Sequence, residues 1–508
     1  MYSISRRDFL KVSSLLLGAT VFSRPEQLLT KQGSQKPNII ILVFDAMSAK
    51  HLSVYGYPRK TTPNFERFSK RATVYNSNYA AANFTSPGTA TLLTGMHPWK
   101  HRAFNIGSLV ARKLAENNLF NLLGNDYYSV GFSQNVLADK LLSEFISNID
   151  QKISPNAFSA SMKKILYSSC FPDDDFLAYD TFDEFLGRTD HAANRITGSL
   201  SLGFLGSIFS KYTKEAPNKV FPYGMPLASQ AFYFDNEKVF MKIAETIQEV
   251  NQNSPFVGYF HFYAPHEPYT PHKNFIDIFE DMPLVKKPHH KLSYSKLPQR
   301  ILKEHRNRYD EYIANVDAEF GNLLDFLEEK GILDNSYLIL ASDHGEMFER
   351  GEYGHNTALL SESVISTPLI ISKPGQKQRV DIYSNTCNTD IVPTLLHNVG
   401  VKAPNSLDGK FLPGLGGSED FDRSIFSLDA KENSSFLPLN KATIALNKNN
   451  FKLIYYVGYE KYDQEFELYN LREDPDELTN IIKVNTVVAK QMKDELLTAL
   501  DNANRSLT

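Results

Sequence analysis

Cysteine is nearly absent from this chain of 508 residues: there are two, Cys170 and Cys387, far apart. Neither has the clustered spacing of a zinc knuckle or a redox motif, which excludes a thiolate metal site and a disulfide-stapled scaffold. Spacing alone leaves open whether the two pair. An excess of one charge is missing too, since 54 Lys and Arg oppose 58 Asp and Glu for a formal charge of -4. That balance excludes general attraction to nucleic acid or anionic lipid, so an anionic ligand must be drawn in locally. There is no internal repeat, no long low-complexity tract and no apolar run of membrane-spanning length. What remains is a chain longer than one core usually supports, read as a large domain carrying a smaller one.

At the start, Ser5-Arg6-Arg7-Asp8-Phe9-Leu10-Lys11 precedes the apolar stretch Val12 to Phe22. This resembles a twin-arginine export signal, because the apolar stretch is about a dozen residues, short of the roughly 20 a spanning helix needs. The expected segment is 1–36, the expected partner the twin-arginine export machinery, and the expected location periplasmic or extracellular. No clean Ala-x-Ala site follows, and Ser23-Arg24-Pro25 is an awkward junction, so a tether by an uncleaved signal stays open.

Asn38 to Phe44 is a continuous apolar run of strand length ending at Asp45, the pattern of a strand covered on both faces. Similar runs recur at Tyr128 to Phe132, Phe256 to Phe262, Tyr337 to Ala341 and Pro368 to Ile371. Ile313, Val316, Phe320, Leu323, Leu324 and Leu327, spaced by threes and fours before Gly331, predict an amphipathic helix. Strand and helix alternation predicts an α/β fold, a mostly parallel sheet sandwiched by helices, over residues 37–400. About 141–250 fits poorly and reads as an insertion. Within it Leu200 to Phe209 reads first as a packed helix, with contact to a lipid or cover over a cleft as alternatives. Over 401–508, Thr443 to Leu446, an Asn449-Asn450 turn, Phe451 to Val457 and Phe466 to Leu471 predict an antiparallel sheet, closed by a helix over about 482–503.

Ligands of open α/β sheets bind beyond the carboxyl ends of the strands, where this chain places Asp45 and then Ser342-Asp343-His344-Gly345-Glu346. Carboxylates with imidazole can hold a divalent cation, although taken alone an Asp-His pair at a strand end is more often a cap or turn. Between them, Asn83-Phe84-Thr85-Ser86-Pro87-Gly88-Thr89 leads into an apolar helix. A hydroxyl at a helix start serves equally as a cap or as a nucleophile in a field suited to anions.

Pro37 to Asp45, Tyr55-Gly56-Tyr57, Thr62-Pro63-Asn64-Phe65 and Leu92-Leu93-Thr94-Gly95-Met96-His97-Pro98 resemble the ordered N-terminal blocks of sulfatases in the alkaline phosphatase superfamily. The order continues through His261-Phe262-Tyr263-Ala264-Pro265-His266-Glu267-Pro268-Tyr269, Asp343-His344-Gly345-Glu346 and Gly354-His355-Asn356. Thr389 to Leu396, Glu467-Leu468-Tyr469-Asn470 and Asp474-Pro475 complete it. Against that pattern, Thr85 stands where sulfatases carry the residue converted to formylglycine, and Thr89 replaces the arginine of that motif. The lysine and histidine block that grips sulfate is not visible near Tyr128 to Asn135, and Ala46 replaces a second acidic residue.

A plain threonine resembles lipoteichoic acid synthases and phosphoethanolamine transferases. The resemblance implies a hydrolase or transferase of phosphate mono- or diesters through a covalent Thr85 intermediate. It implies one divalent metal on Asp45, Thr85, Asp343 and His344, manganese or zinc before calcium, and His266 and His355 as proton-transferring or anion-binding residues. His97, His101 and Arg102 read as supports of the nucleophile helix, and Ser86 is the local alternative to Thr85. The implied substrate is an anionic ester on a glycan, lipid or small molecule, with peripheral membrane contact as an option. Alternatives are a sulfuric ester hydrolase and, from another class, a catalytically idle anion-binding protein of the same fold.

Overall fold

In a computed structural model, residues 36–155, 157–159, 219–228, 232–253, 255–460 and 462–505 are described. The expected export signal up to residue 35, Cys170, Leu200 to Phe209 and most of the expected insertion lie outside them. Among the described residues, no helix is long and apolar enough to cross a membrane.

Eight strands form the main sheet: β1 (Asn38–Phe44), β2 (Thr73–Tyr75), β3 (Tyr128–Ser133), β4 (Gln151–Ile153), β5 (Phe256–Phe262), β6 (Ser336–Ala341), β7 (Leu369–Ser372) and β8 (Val380–Ile382). Their spatial order is β8-β2-β7-β6-β1-β5-β3-β4. β6, β1, β5, β3 and β4 run parallel as neighbours, and only β7 opposes the rest. β1 is buried at every position because its period-2 alternation feeds two cores. Ile40, Leu42 and Phe44 face α2 (Asn236–Val250) and α3 (Gln299–Glu329), where Phe240 stacks on Phe262 with centroids 4.1 Å apart. Ile39, Ile41 and Val43 face α1 (Thr85–Thr94) and α4 (Ile391–Asn398). Each such fully buried side chain contributes about 1.5–3 kcal/mol, so the alternation holds the sandwich together. α3 carries the predicted 3–4 spacing and stops as expected, with Gly331 at φ +65°.

The α/β sandwich is therefore the predicted one, and the smaller antiparallel sheet is also present. Its strands are β9 (Ile425–Asp429), β10 (Ala442–Lys448), β11 (Phe451–Val457) and β12 (Glu465–Asn470), in sequential order, backed by α5 (Thr486–Arg505). Asn449 and Asn450 join β10 to β11 with φ of 51° and 63°, the paired left-handed geometry of a two-residue hairpin turn. On β12, Glu467 accepts hydrogen bonds from the Tyr456, Tyr462 and Tyr469 hydroxyls at 3.1, 2.9 and 3.0 Å and pairs with His290 at 3.1 Å. Burial would raise its pKa, but the His290 contact and the tyrosine bonds outweigh that and hold it at about 2. The loop before α3 is thereby tied to this sheet.

Candidate functional site

The sheet order brings four strand ends together. Because β6, β1, β5 and β3 are parallel neighbours, Asp343, Asp45, His261 and Asn135 emerge at one edge of the sheet. Val43 pairs across with both His261 and Ala341, which sets the depth of each side chain. Ala46 then turns back at φ 58°, and its N–H donates to Asp343 Oδ1 at 3.3 Å.

Thr85 arrives from the other side of the cluster. Phe84 is extended and α1 begins at Thr85 with no side-chain cap, so first-turn N–H groups stay available to an anion. A Cβ on Gly88 would lie 2.6 Å from the Asp343 carbonyl oxygen, so the helix start rests directly on the backbone of the metal segment. We expect Gly88→Ala to push the two apart, costing about 1–3 kcal/mol by overpacking and cutting activity sharply. Thermal melting and kcat measured together check this. A variant of unchanged stability and full activity would show that this close approach does not position Thr85.

Thr85 Oγ1 accepts from Asn135 Nδ2 at 3.2 Å and lies 3.5 Å from His344 Nε2. Asn135 Nδ2 also donates to Asp45 Oδ2 at 2.6 Å. The alternative hydroxyl, Ser86 Oγ, instead accepts from Gly107 N at 2.9 Å. His344 Nε2 is 3.4 Å from Asp45 Oδ1 and 3.5 Å from Asp343 Oδ2. His261 Nε2 is 3.4 Å from Asp45 Oδ2 and 3.8 Å from Asp343 Oδ2. All four of these residues are 0% exposed. Each imidazole is oriented through its other nitrogen. His344 Nδ1 contacts the Gly345 carbonyl at 3.0 Å and His261 Nδ1 the Tyr259 hydroxyl at 3.2 Å, the outer contacts that turn a ring nitrogen toward a cation.

The residues present fit a divalent cation. Asp45 Oδ1, Asp343 Oδ2 and His261 Nε2 are buried without a hydrogen-bond partner, and ligand atoms of Asp45, His261 and Asp343 lie within 4.8 Å of one another. Buried polar atoms without partners are costly unless something else satisfies them. The charge pattern agrees. Burial acts to raise the pKa of Asp45, but the field of His266 and the contacts with His261 and His344 hold it well below the carboxylate range. Burial and the neighbouring Asp45 raise Asp343. For His344, burial opposes the charged form, yet Asp343 and Asp45 push its pKa up to about 9. The protonated imidazole thus carries positive charge where a cation would neutralise the carboxylates.

Above the cluster a cleft of about 390 Å³ opens, lined in part by Thr85, Asn135, His266 and His355. The His355 ring lies 4.2 Å from that of His344 and 4.8 Å from that of His266. His355 Nδ1 sits 3.2 Å from Glu346 Oε2, and His266 Nδ1 2.6 Å from the Glu267 carbonyl oxygen. Burial holds both histidines below the usual imidazole range, His355 additionally through the charge on His344. Asn83 Nδ2 donates to the His355 and Thr357 carbonyls at 3.2 and 2.7 Å, fixing the loop that carries His355.

All six residues singled out in the sequence therefore converge. His101 contacts Thr91 Oγ1 at 3.2 Å, and Arg102 donates to carbonyls of Trp99, Ser434, Ser435 and Leu437, so both brace α1 and its flank. His97 donates its backbone N–H to Asp408 at 2.9 Å on the same flank. Reading the sequence missed His261 as part of the cluster, along with Asn135 and Glu346. The available signal was parity: His261 shares a face with Val257 and Tyr259 and stands one residue from the end of a central strand.

A family model described as Sulfatase matches residues 37–401, and one described as N-sulphoglucosamine sulphohydrolase, C-terminal, matches 351–503. The chain belongs to the sulfatase family. Members of this family are ester hydrolases that bind a divalent metal ion. Among sulfatase relatives, the choline-sulfatase of Rhizobium meliloti (strain 1021) is 23% identical over 476 residues, covering 88% of this chain and 82% of that protein. The multifunctional alkaline phosphatase superfamily protein PehA of Trinickia caryophylli is 22% identical over 538 residues, covering 93% and 97%. The crystal structure of the phosphonate monoester hydrolase of Agrobacterium radiobacter superposes with a TM-score of 0.66 at 19% identity, covering 92% of this chain and 96% of that one. At that identity the likeness speaks for a shared fold.

Proposed function

We propose that this sulfatase-family chain cleaves or transfers phosphate mono- or diesters through a covalent ester on Thr85. The observation that carries this reading is the placement of Thr85 Oγ1, at an uncapped helix start, beside Asn135 Nδ2 at 3.2 Å and His344 Nε2 at 3.5 Å. Threonine cannot yield the aldehyde on which formylglycine chemistry depends, so the hydroxyl itself is the attacking group.

The cation would be held by Asp45, Asp343, His261 and His344 with Thr85 beside them. Two imidazoles joined to carboxylates suit manganese or zinc better than calcium. Its chemistry when bound is to lower the pKa of the Thr85 hydroxyl and to neutralise charge on the ester. The rest falls to the chain. Asn135 donates to the developing alkoxide while still holding Asp45, and the first-turn N–H groups of α1 offer donors to the ester's anionic oxygens. Thr85 Oγ, its proton released to solvent as the hydroxyl ionises, forms the new bond to phosphorus as the bond to the leaving oxygen breaks. His266 or His355 protonates that oxygen. Burial lowers the pKa of both imidazoles in the resting site, and an arriving anion raises it by its charge, so the proton is taken up from solvent as the substrate binds. Water or an acceptor hydroxyl then attacks phosphorus, the bond from phosphorus to Thr85 Oγ breaks, and the proton of the attacking O–H passes to Thr85 Oγ.

A sulfuric ester substrate is the second reading, favoured by the match of residues 351–503 to an N-sulphoglucosamine sulphohydrolase C-terminal model and by the choline-sulfatase relative. Export by the twin-arginine route, acting on an ester outside the cytoplasm, completes the proposal and rests on Arg6 and Arg7 before the apolar stretch. The test is mass spectrometry of the protein after brief incubation with aryl phosphate monoester, aryl phosphodiester and aryl sulfate, beside Thr85→Ala. We expect an adduct on the Thr85 peptide that the variant lacks, and its accurate mass separates phosphoryl, substituted phosphoryl and sulfuryl chemistry. Turnover without any Thr85 adduct, surviving in Thr85→Ala, would overturn the covalent route.

A further inference from the structure

The cleft over Thr85 binds an ester yet is lined by no lysine or arginine among the described residues, while two carboxylates, Glu267 and Glu352, face it. Positive charge at the bottom, from the expected cation, serves the anionic end of a substrate. Ring spacings trace the path outward from the His344 ring beside Thr85: 4.2 Å to His355, 4.8 Å to His266 and 4.5 Å to Tyr263. Tyr263, Tyr294, Tyr353 and Glu267 line the same cleft. Tyr353 is held in place by a stack on His305 with centroids 3.8 Å apart.

The two carboxylates differ in their surroundings. Glu352 Oε1 accepts from the backbone N–H groups of Tyr294 and Ser295 and is thereby satisfied. Glu267 is half-buried, and among the described residues no lysine or arginine pairs with its carboxyl group, whose pKa burial and the neighbouring Glu346 raise while His266 acts to lower it. The nearby cation Lys431 lies at the edge of the cleft, donating to Asn356 Oδ1 at 3.0 Å and the Thr357 carbonyl at 3.4 Å, and its charge is answered by Asp429 at 3.8 Å. A neutral leaving group seated here would desolvate Glu267 without compensation. A cationic one would pair with it and lie against aromatic faces, whose negative quadrupole favours ammonium groups.

We infer that the leaving group of the substrate carries a positive charge, an ammonium or quaternary ammonium alcohol, read by Glu267 and the Tyr263, Tyr294 and Tyr353 rings. This rests on the ester-cleaving reading of the same site. The enzyme's ester would then be zwitterionic, its anionic end on the Thr85 side and its cationic end on the Glu267 side. Electrostatics give the selectivity, since a tethered cation pairs with Glu267 and favours its ionised form, a gain a plain anionic ester cannot make.

The test uses matched esters differing only in charge: choline phosphate and choline sulfate against the 3,3-dimethylbutyl phosphate and sulfate, in which carbon replaces nitrogen. In the metal-loaded wild type we expect kcat/KM to favour the choline ester by about tenfold or more, mainly through KM, as an ion pair with aromatic contact implies. In Glu267→Gln the preference should shrink to within about threefold, whatever the absolute rates, and in wild type it should fall with added salt. A second readout does not need turnover. Calorimetric titration of Thr85→Ala with the same pairs should show the same preference, abolished in the Thr85→Ala, Glu267→Gln double variant. Equal use and equal binding of the charged and uncharged members, or a preference that survives Glu267→Gln, would overturn the inference. Failure of the ester-cleaving reading is distinguishable, because aryl phosphate and aryl sulfate would then also go unturned while the binding preference persists. Faster use of neutral sugar esters than of either choline ester would assign the rings to stacking on a glycan and overturn the inference as well.

Discussion

Thr85→Ala is expected to lower kcat by at least about a thousandfold at unchanged fold, because it removes the atom that forms the covalent bond in the proposed reaction. The side chain sits at the first position of α1, where it makes no capping bond, so alanine leaves the helix start intact. Asn135 keeps its 2.6 Å bond to Asp45 and is not orphaned by the change. Melting should therefore shift by no more than about 1 kcal/mol equivalent, which separates loss of chemistry from loss of structure. Thr85→Ser restores the hydroxyl in the same place and should recover a large part of the activity. Should Thr85→Ala keep a tenth or more of wild-type turnover, the nucleophile lies elsewhere. Ser86 would then have to give up its bond with Gly107 N to serve.

His261→Ala is expected to weaken binding of manganese or zinc by about a hundredfold or more, with activity partly restored by excess metal. The prediction separates two ligand sets. The sequence implied Asp45, Thr85, Asp343 and His344, whereas the structure places His261 Nε2 among them, 3.4 Å from Asp45 Oδ2 and without a hydrogen-bond partner. Tyr259→Phe should act more weakly, about tenfold, since it removes only the partner that orients the ring. Equilibrium dialysis with elemental analysis of the protein, after chelation and refilling with manganese, zinc or calcium, gives stoichiometry and affinity together. Affinity within threefold of wild type in His261→Ala would remove His261 from the ligand set, leaving it a packing residue beneath the site.

Much of the architecture could be read without coordinates because it is local. Runs of apolar residues mark strands buried on both faces, threefold and fourfold spacing marks α3, and paired asparagines at 449 and 450 mark the hairpin of the smaller sheet. The short strands Thr73–Tyr75 and Val380–Ile382 escaped notice, since three residues at a sheet edge carry no period long enough to detect. Asp45, Thr85, Asp343 and His344 were legible through their places at strand ends, at a helix start and in ordered sulfatase blocks.

By itself the sequence determined the element types, the α/β class, the family resemblance and the residues most able to do chemistry, because period and turn chemistry act over a few residues. Only the tertiary structure decided which of those residues meet. That β6, β1, β5 and β3 lie side by side in one direction is a property of sheet order, and it alone brings His261 and Asn135 to Asp45 and Asp343. The two candidate hydroxyls also part in space, with Thr85 turned to Asn135 and Ser86 to Gly107. The physical reason is range: a pleat or a helical turn assigns a side chain to a face, but contact between residues hundreds apart depends on how whole elements pack.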